Sequence, residues 1–283
     1  MSWIKEQLPK LIRLAVPAVL AQAAQMGLGF IDIMMAGHHS AQTLAAVSVG
    51  SNVFIPIVVI MMGFLLGINP MAASARARRN FRELARLLHT GLGIALILGT
   101  LCWWVLKNPS WLLGQLDLPP TLHDGAVDYL RAIALAGWPM LLFLVFRFFN
   151  EGLFSNKQVM LVSFSALPLN ALINYYFLFH YQLGPYGLGL ATAISYAFMF
   201  ITMAIYTLTA KRYFRIQIYL TRTFGDYSTM RSMLKIGTPI AISLGMEVTL
   251  FAGIGLLIAR YGDVVVSGHQ IALNVASMAF MIP

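Results

Sequence analysis

The sequence predicts an all-α protein of many membrane-spanning helices, and three observations carry that prediction. Hydrophobic residues make up 59% of the 283 residues and charged ones only 10%, against roughly 25% charge in a soluble domain. Mean hydropathy is +0.76, so the chain cannot cover itself with polar surface and needs lipid as its solvent. Apolar runs close to the roughly 20 residues of a hydrocarbon crossing recur along the whole chain, separated only by short polar links.

Eight segments qualify, at 14–36, 45–69, 88–106, 127–149, 159–181, 187–209, 233–258 and 264–283. The first follows Lys5, Lys10 and Arg13 and contains the cleavage-like triplet Ala21-Gln22-Ala23. Its apolar run continues well past that triplet, so it reads as an uncleaved transmembrane helix rather than a leader. The third holds Cys102, the only cysteine, which excludes an internal disulfide and any cysteine-rich metal site. The fourth ends at Arg147, Asn150 and Glu151, a cluster expected to snorkel or cap at the cytoplasmic end. The fifth carries "SALPLNALINYY", the seventh Ser243 and Glu247, and the eighth His269 and Gln270.

Charge distribution sets an orientation. Of the 19 Lys and Arg, all but Lys107, Arg131 and Arg260 fall on one side if the N-terminus is cytoplasmic, as the positive-inside rule requires. That asymmetry accounts for the net charge of +9. The basic "ARARRNFRELAR" loop reads as a topology signal touching anionic lipid, not as a nucleic-acid patch.

A shift of 222 residues sets "LIRLAVPAVL" against "MLKIGTPIAI", pairing Pro17 with Pro239, Gln25 with Glu247 and Asn52 with Asn274. Segments one and two then match seven and eight as a parallel repeat, as in transporters whose halves surround a central cavity. The expected organisation is an N-terminal lobe at 1–210, a cytoplasmic inter-lobe loop at 211–232, and the start of a second lobe at 233–283. Segment eight runs to Pro283 without a polar tail, and the sequence reads as a chain truncated after its eighth helix.

Two acids sit most clearly inside spans. Asp32 is the only charge in segment one, where a central Asp costs about 2.5–3.5 kcal/mol on an insertion scale. Glu247 lies near the middle of segment seven. Intramembrane acids are candidates for ion or proton pathways, the alternative being a structural hydrogen bond between helices. Gln22, Gln25 and Asp32 fall within about an 80° arc at 100° per residue, a polar stripe that fits a lined cavity; Ser243 and Glu247 stand four apart on segment seven. Asn170 and Asn174 share a helix face beside Pro168, which frees a backbone carbonyl. Their oxygens suit a desolvated cation or a proton, or equally an interhelical hydrogen bond. No metal-ligand spacing of histidines, phosphate-cradling glycine loop or nucleophile with a base is present, so nothing in the sequence points to an enzyme.

The stretches "LAVPAVLAQAAQMGLGFIDIMMAG", "NEGLFSNK", "NALINYYFLF", "GLGLATAISY", "MEVTLFA" and "GHQIALN" resemble the multidrug and toxic compound extrusion (MATE) transporters, in their NorM-like bacterial branch. The resemblance implies a MATE-type fold of twelve helices in two pseudo-symmetric lobes, of which eight are present here. It implies a multi-pass protein of the bacterial inner membrane, acting as a monomer without a cofactor. Its activity would be export of varied, often cationic organic compounds in exchange for Na⁺ or H⁺. Asp32 matches the family's first-lobe acid, Asn170 and Asn174 its fifth-helix asparagines, and Glu247 the seventh-helix acid of the second-lobe cation site, a possible Na⁺ ligand. Two rivals are a lipid-linked oligosaccharide flippase of related fold, which needs a cationic cavity, and a non-coupled channel or scaffold. The near absence of Lys and Arg within the spans disfavours the flippase.

Overall fold

The computed structural model describes residues 2–114, 118–210, 213 and 226–280. Among them the regular structure is helical throughout. Seven stretches are long and apolar enough to cross a membrane: Ala15–His39, Ala41–Ala77, Phe81–Leu106, Pro120–Gly152, Asn156–His180, Gly184–Thr209 and Tyr227–Ile258. They correspond in order to the first seven expected segments. The eighth is also helical, with a shorter apolar stretch at Val264–Leu273.

Helix α1 (Ser2–His39) and helix α2 (Ala41–Leu65) are joined by Ser40 alone. Ser40 is extended (φ −169°), and its hydroxyl accepts the Thr43 N–H at 3.0 Å. That N-cap satisfies one of the donors a helix start leaves free, and the two helices form a hairpin.

Two expected segments turn out to be broken. The second divides into α2 and α3 (Ile68–Ala77). Helix α4 (Phe81–Leu106) follows, capped by the Asn80 side chain on the Glu83 N–H, and then the short α5 (Ser110–Leu113). The fourth segment consists of α6 (Pro120–Ile133), a 3₁₀ turn at Ala134–Ala136 and α7 (Gly137–Gly152). Pro139 lies in the first turn of α7, where a missing N–H is tolerated, but its ring crowds the carbonyl four residues back. The wider break in the α-ladder is the result.

Helix α8 (Asn156–Tyr175) passes into a π-helical turn at Tyr176–His180, a geometry frequent beside functional residues. The chain then reverses through Gln182 (φ 51°) and Gly184 (φ 56°) into α9 (Gly184–Thr209). Helix α10 (Tyr227–Ile258) and helix α11 (Asp263–Phe280) complete the described chain. Most of the expected loop at 211–232 lies outside the described residues, including Lys211, Arg212, Arg215 and Arg222. The side chains of Lys5, Lys10, Arg13, Arg260 and Asn274 lie outside them too, as does Pro283. Helix α10 begins at Tyr227, within the stretch expected as a loop.

Asn80, Arg82, Glu83 and Arg86 line one polar cleft with Ser228, Thr229 and Ser232 of α10. The starts of α4 and α10 therefore share an end of the bundle, called here the basic end, opposite the Ser40 end. The core is formed mainly by α2, α4, α6, α7 and α9, with Phe143, Phe149, Leu65, Leu88 and Leu130 among its fully buried side chains.

Helix α10 is held against α2 by small residues. A Cβ added to Gly63 would run into the backbone of Ala241, one added to Gly237 into the backbone of Phe64, and one added to Gly245 to within 2.7 Å of Ile60 Cγ1. Small residues four apart on α10, at Gly237, Ala241 and Gly245, with Gly63 facing them on α2, let the backbones touch, a main source of helix association in lipid. Gly63→Val should destabilise the bundle by about 1–3 kcal/mol through overpacking, read as earlier thermal unfolding in detergent. Gly253→Val, with nothing within 4 Å of the added carbon, should unfold like the parent.

Candidate functional site

The i, i+4 spacing on α8 puts Asn170 and Asn174 on one face, and both are fully buried. That face meets α1 at Asp32. Asn174 Nδ2 donates to Asp32 Oδ1 at 2.7 Å and to Asn170 Oδ1 at 3.1 Å. From α9, the Thr192 hydroxyl lies 2.6 Å from Asp32 Oδ2 and 3.1 Å from the Leu188 carbonyl. One carboxylate thus ties three helices together, at 5% exposure.

Its surroundings are polar but uncharged. Among the described residues no Lys or Arg forms an ion pair with Asp32. The buried rings of Tyr129 and Tyr196 stand close enough to feel its charge, and Ser51 donates to the Tyr129 hydroxyl at 3.2 Å. Asn174 Oδ1 and Asn170 Nδ2 are buried with no hydrogen-bond partner. The cluster therefore offers a free amide oxygen beside a carboxylate. A Thr hydroxyl has one proton, so Thr192 can donate to Asp32 or to Leu188, not to both. The arrangement can accept a proton or an oxygen-liganded cation and re-pair its hydrogen bonds on doing so.

The polar stripe of α1 divides in two. Gln22 and Gln25 do not join Asp32; their Oε1 atoms accept from Arg147 Nη2 at 2.7 Å and Arg147 Nη1 at 2.6 Å. This corrects two expectations. Arg147 does not snorkel but is buried, at 7% exposure, and a cation does stand inside the spans. Its Nε donates to Glu151 at 2.8 Å, so its charge is paired on its own helix. Asn150 likewise is no surface cap: it bonds Thr207 at 3.0 Å and accepts from the Tyr213 hydroxyl at 2.5 Å.

Glu247 and Ser243 are both exposed on α10. Among the described residues neither forms a side-chain hydrogen bond, and no cluster of three His, Cys, Asp or Glu that could hold a metal is present. The structure thus brings together Asp32, Asn170 and Asn174, and leaves Glu247 apart from them. Sequence reasoning missed Thr192, whose only signal was its place in the "GLGLATAISY" stretch, and also Tyr129 and Ser51.

Comparison with known proteins identifies a family and a fold. Residues 17–176 match the MatE family. The multidrug resistance protein NorM of Aliivibrio fischeri is 34% identical over 283 residues, 99% of this chain and 62% of that protein. A solved structure of the MATE transporter NorM-NG in complex with rhodamine 6G and a monobody is 28% identical, with a TM-score of 0.75 over 95% of this chain and 60% of that one. An outward-facing multidrug resistance MATE family transporter superposes with a TM-score of 0.77 at 19% identity, over 96% and 60% of the two chains. The chain spans about three-fifths of the length of these proteins.

Thr192→Val removes a donor to a buried carboxylate, worth about 1.5–3 kcal/mol for a hydrogen bond to a charged group. A lower midpoint of thermal unfolding in detergent is the expected reading, with Thr192→Ser, which keeps the hydroxyl, close to the parent.

Proposed function

Because the chain belongs to the MatE family, we propose that it serves in a multidrug efflux antiporter of the bacterial inner membrane, exporting varied, often cationic organic compounds in exchange for H⁺ or Na⁺. The observation that carries this reading is the Asp32 carboxylate, buried among neutral donors from α8 and α9 with a free amide oxygen beside it. A charge held this way is costly, and intramembrane acids mark ion pathways. The NorM name of the relatives and the rhodamine 6G complex of NorM-NG support the substrate class.

In this reading the basic end faces the cytoplasm, as the positive-inside rule would have it. Residues 1–210 act as the first lobe and 233–283 begin the second, joined through 211–232. When a proton enters, Asp32 stops accepting at one oxygen and donates there to Thr192 Oγ1, whose own proton turns to the Leu188 carbonyl. When Na⁺ enters instead, the Asp32 oxygens, Asn174 Oδ1 and Asn170 Oδ1 supply ligands of the hard type such a cation prefers. Either event neutralises the carboxylate and shifts the helices it ties, favouring release of the organic substrate on the far side. Glu247, on the α10 face left open, serves as the coupling acid of the second lobe, with Ser243 one turn away. Arg147 is a single cation already paired with Glu151, which is poor provision for a pyrophosphate and leaves the flippase reading without support.

The test is efflux of ethidium from proteoliposomes holding the intact protein, with inward pH and Na⁺ gradients imposed separately. Asp32→Asn should lower gradient-driven efflux by at least about tenfold, equivalent to about 1.4 kcal/mol. Parental efflux by both Asp32→Asn and Glu247→Gln would remove the coupling role from these acids.

A further inference from the structure

Arg147 has no part in the exchange just described, yet it is the most heavily engaged cation of the described spans. Each of its three nitrogens meets a different oxygen: Nε the carboxylate of Glu151, Nη1 the amide of Gln25, Nη2 the amide of Gln22. Glu151 in turn lies 3.5 Å from Asn69 Nδ2 of α3. Helix α1 packs mainly on α8, and α7 on α4 and α9. The guanidinium is therefore the reach by which α7 holds α1, across a gap their backbones do not close.

The chemistry of the three acceptors differs in a way that matters. Glu151 is on the same helix as Arg147, so the two charges stay paired wherever α1 goes. Gln22 and Gln25 are neutral, three residues apart on one face of α1, and each presents only its oxygen to the cation. Had either been a carboxylate, withdrawing α1 would pull opposite charges apart. With amides, the contact is directional and strong enough to fix a position, but it carries no net charge of its own. It makes no hydrogen bond to Asp32, which lies seven residues or about 10 Å further along the helix from Gln25.

We infer that Arg147 is a positioning residue that fixes α1 at the level of Gln22 and Gln25, making this level a pivot about which the Asp32 level of the same helix is free to move. The two levels are complementary. At the pivot, neutral groups of α1 face a permanent cation; at Asp32, a group of α1 that can be neutralised faces permanent neutral donors. Only the second changes when a proton or cation arrives. The geometric part of this inference stands independently, and its consequence for turnover rests on the transport reading above.

Spin-label distances in the intact protein test it. One pair, at Leu20 and Phe154, reports the pivot level, and a second, at Met34 and Tyr176, reports the Asp32 level; all four side chains are exposed. Cys102 is buried and stays in place. Asp32→Asn should shift the second distribution and leave the first as in the parent. The double variant Gln22→Leu/Gln25→Leu keeps the Arg147–Glu151 pair, so it tests the contact even where Arg147→Met fails to fold, and it should broaden and lengthen the first distribution. An unchanged Leu20–Phe154 distribution in that double variant, or a shift of it in Asp32→Asn, overturns the pivot. In efflux, the double variant should lower turnover about tenfold with an unchanged apparent KM for ethidium, as expected when a hydrogen bond to a charged group is lost from a moving step only. A raised KM with unchanged turnover would overturn the positioning role. Parental efflux by Asp32→Asn would remove the transport reading while leaving the distance result to decide the pivot.

Discussion

The meeting of α1, α8 and α9 answers to one constraint: a carboxylate kept away from water must be surrounded by donors that the protein itself supplies. Asp32 finds them on two other helices, and so α1, α8 and α9 cannot be placed independently. The asparagines of α8 need their one-turn spacing, and the hydroxyl of α9 has to arrive at the same depth. A permanent cation at this spot would lock the carboxylate into an ion pair; here dipoles alone hold it. Neutral donors keep the acid held yet available.

The second buried charge is handled in the opposite way. Arg147 carries its counter-charge one helical turn along its own helix, so its neutralisation does not depend on any neighbour staying still. The two charges illustrate alternative solutions to the same desolvation cost. One is paired with an opposite charge on its own helix, while the other is solvated by dipoles from two neighbouring helices.

The sequence made the large features legible, because lipid imposes them on composition. The first seven expected segments reappear as helices, and Asn170 and Asn174 could be placed on one face from their spacing alone. What escaped were features set by neighbours. The breaks between α2 and α3 and between α6 and α7 lie inside uniformly apolar runs, where hydropathy has no contrast to offer. Thr192 looked like any helical hydroxyl, since a Thr in a span ordinarily bonds the carbonyl four residues back, and the Leu188 carbonyl does lie within its reach at 3.1 Å. Arg147 was misread because residues near a segment end usually do reach for the interface; its burial is decided by glutamines more than a hundred positions earlier. A helical wheel placed Gln22, Gln25 and Asp32 on one stripe, but a wheel discards depth, and depth is what separates them.

The single residue between α1 and α2 leaves the hairpin without slack. Two links of about 3.8 Å join the α-carbons of His39 and Ala41, so the Ser40 end of α1 stays within about 7 Å of α2 unless a helix end unwinds. Helix α2 meets α10 backbone to backbone only at its other end, around Gly63 and Phe64, while nearer the Ser40 end the Asn52 side chain stands against Gly255. Asp32 sits two turns from this joint. The depth of Asp32 is therefore set from two directions, by the donors of α8 and α9 and by a joint too short to let its helix slide.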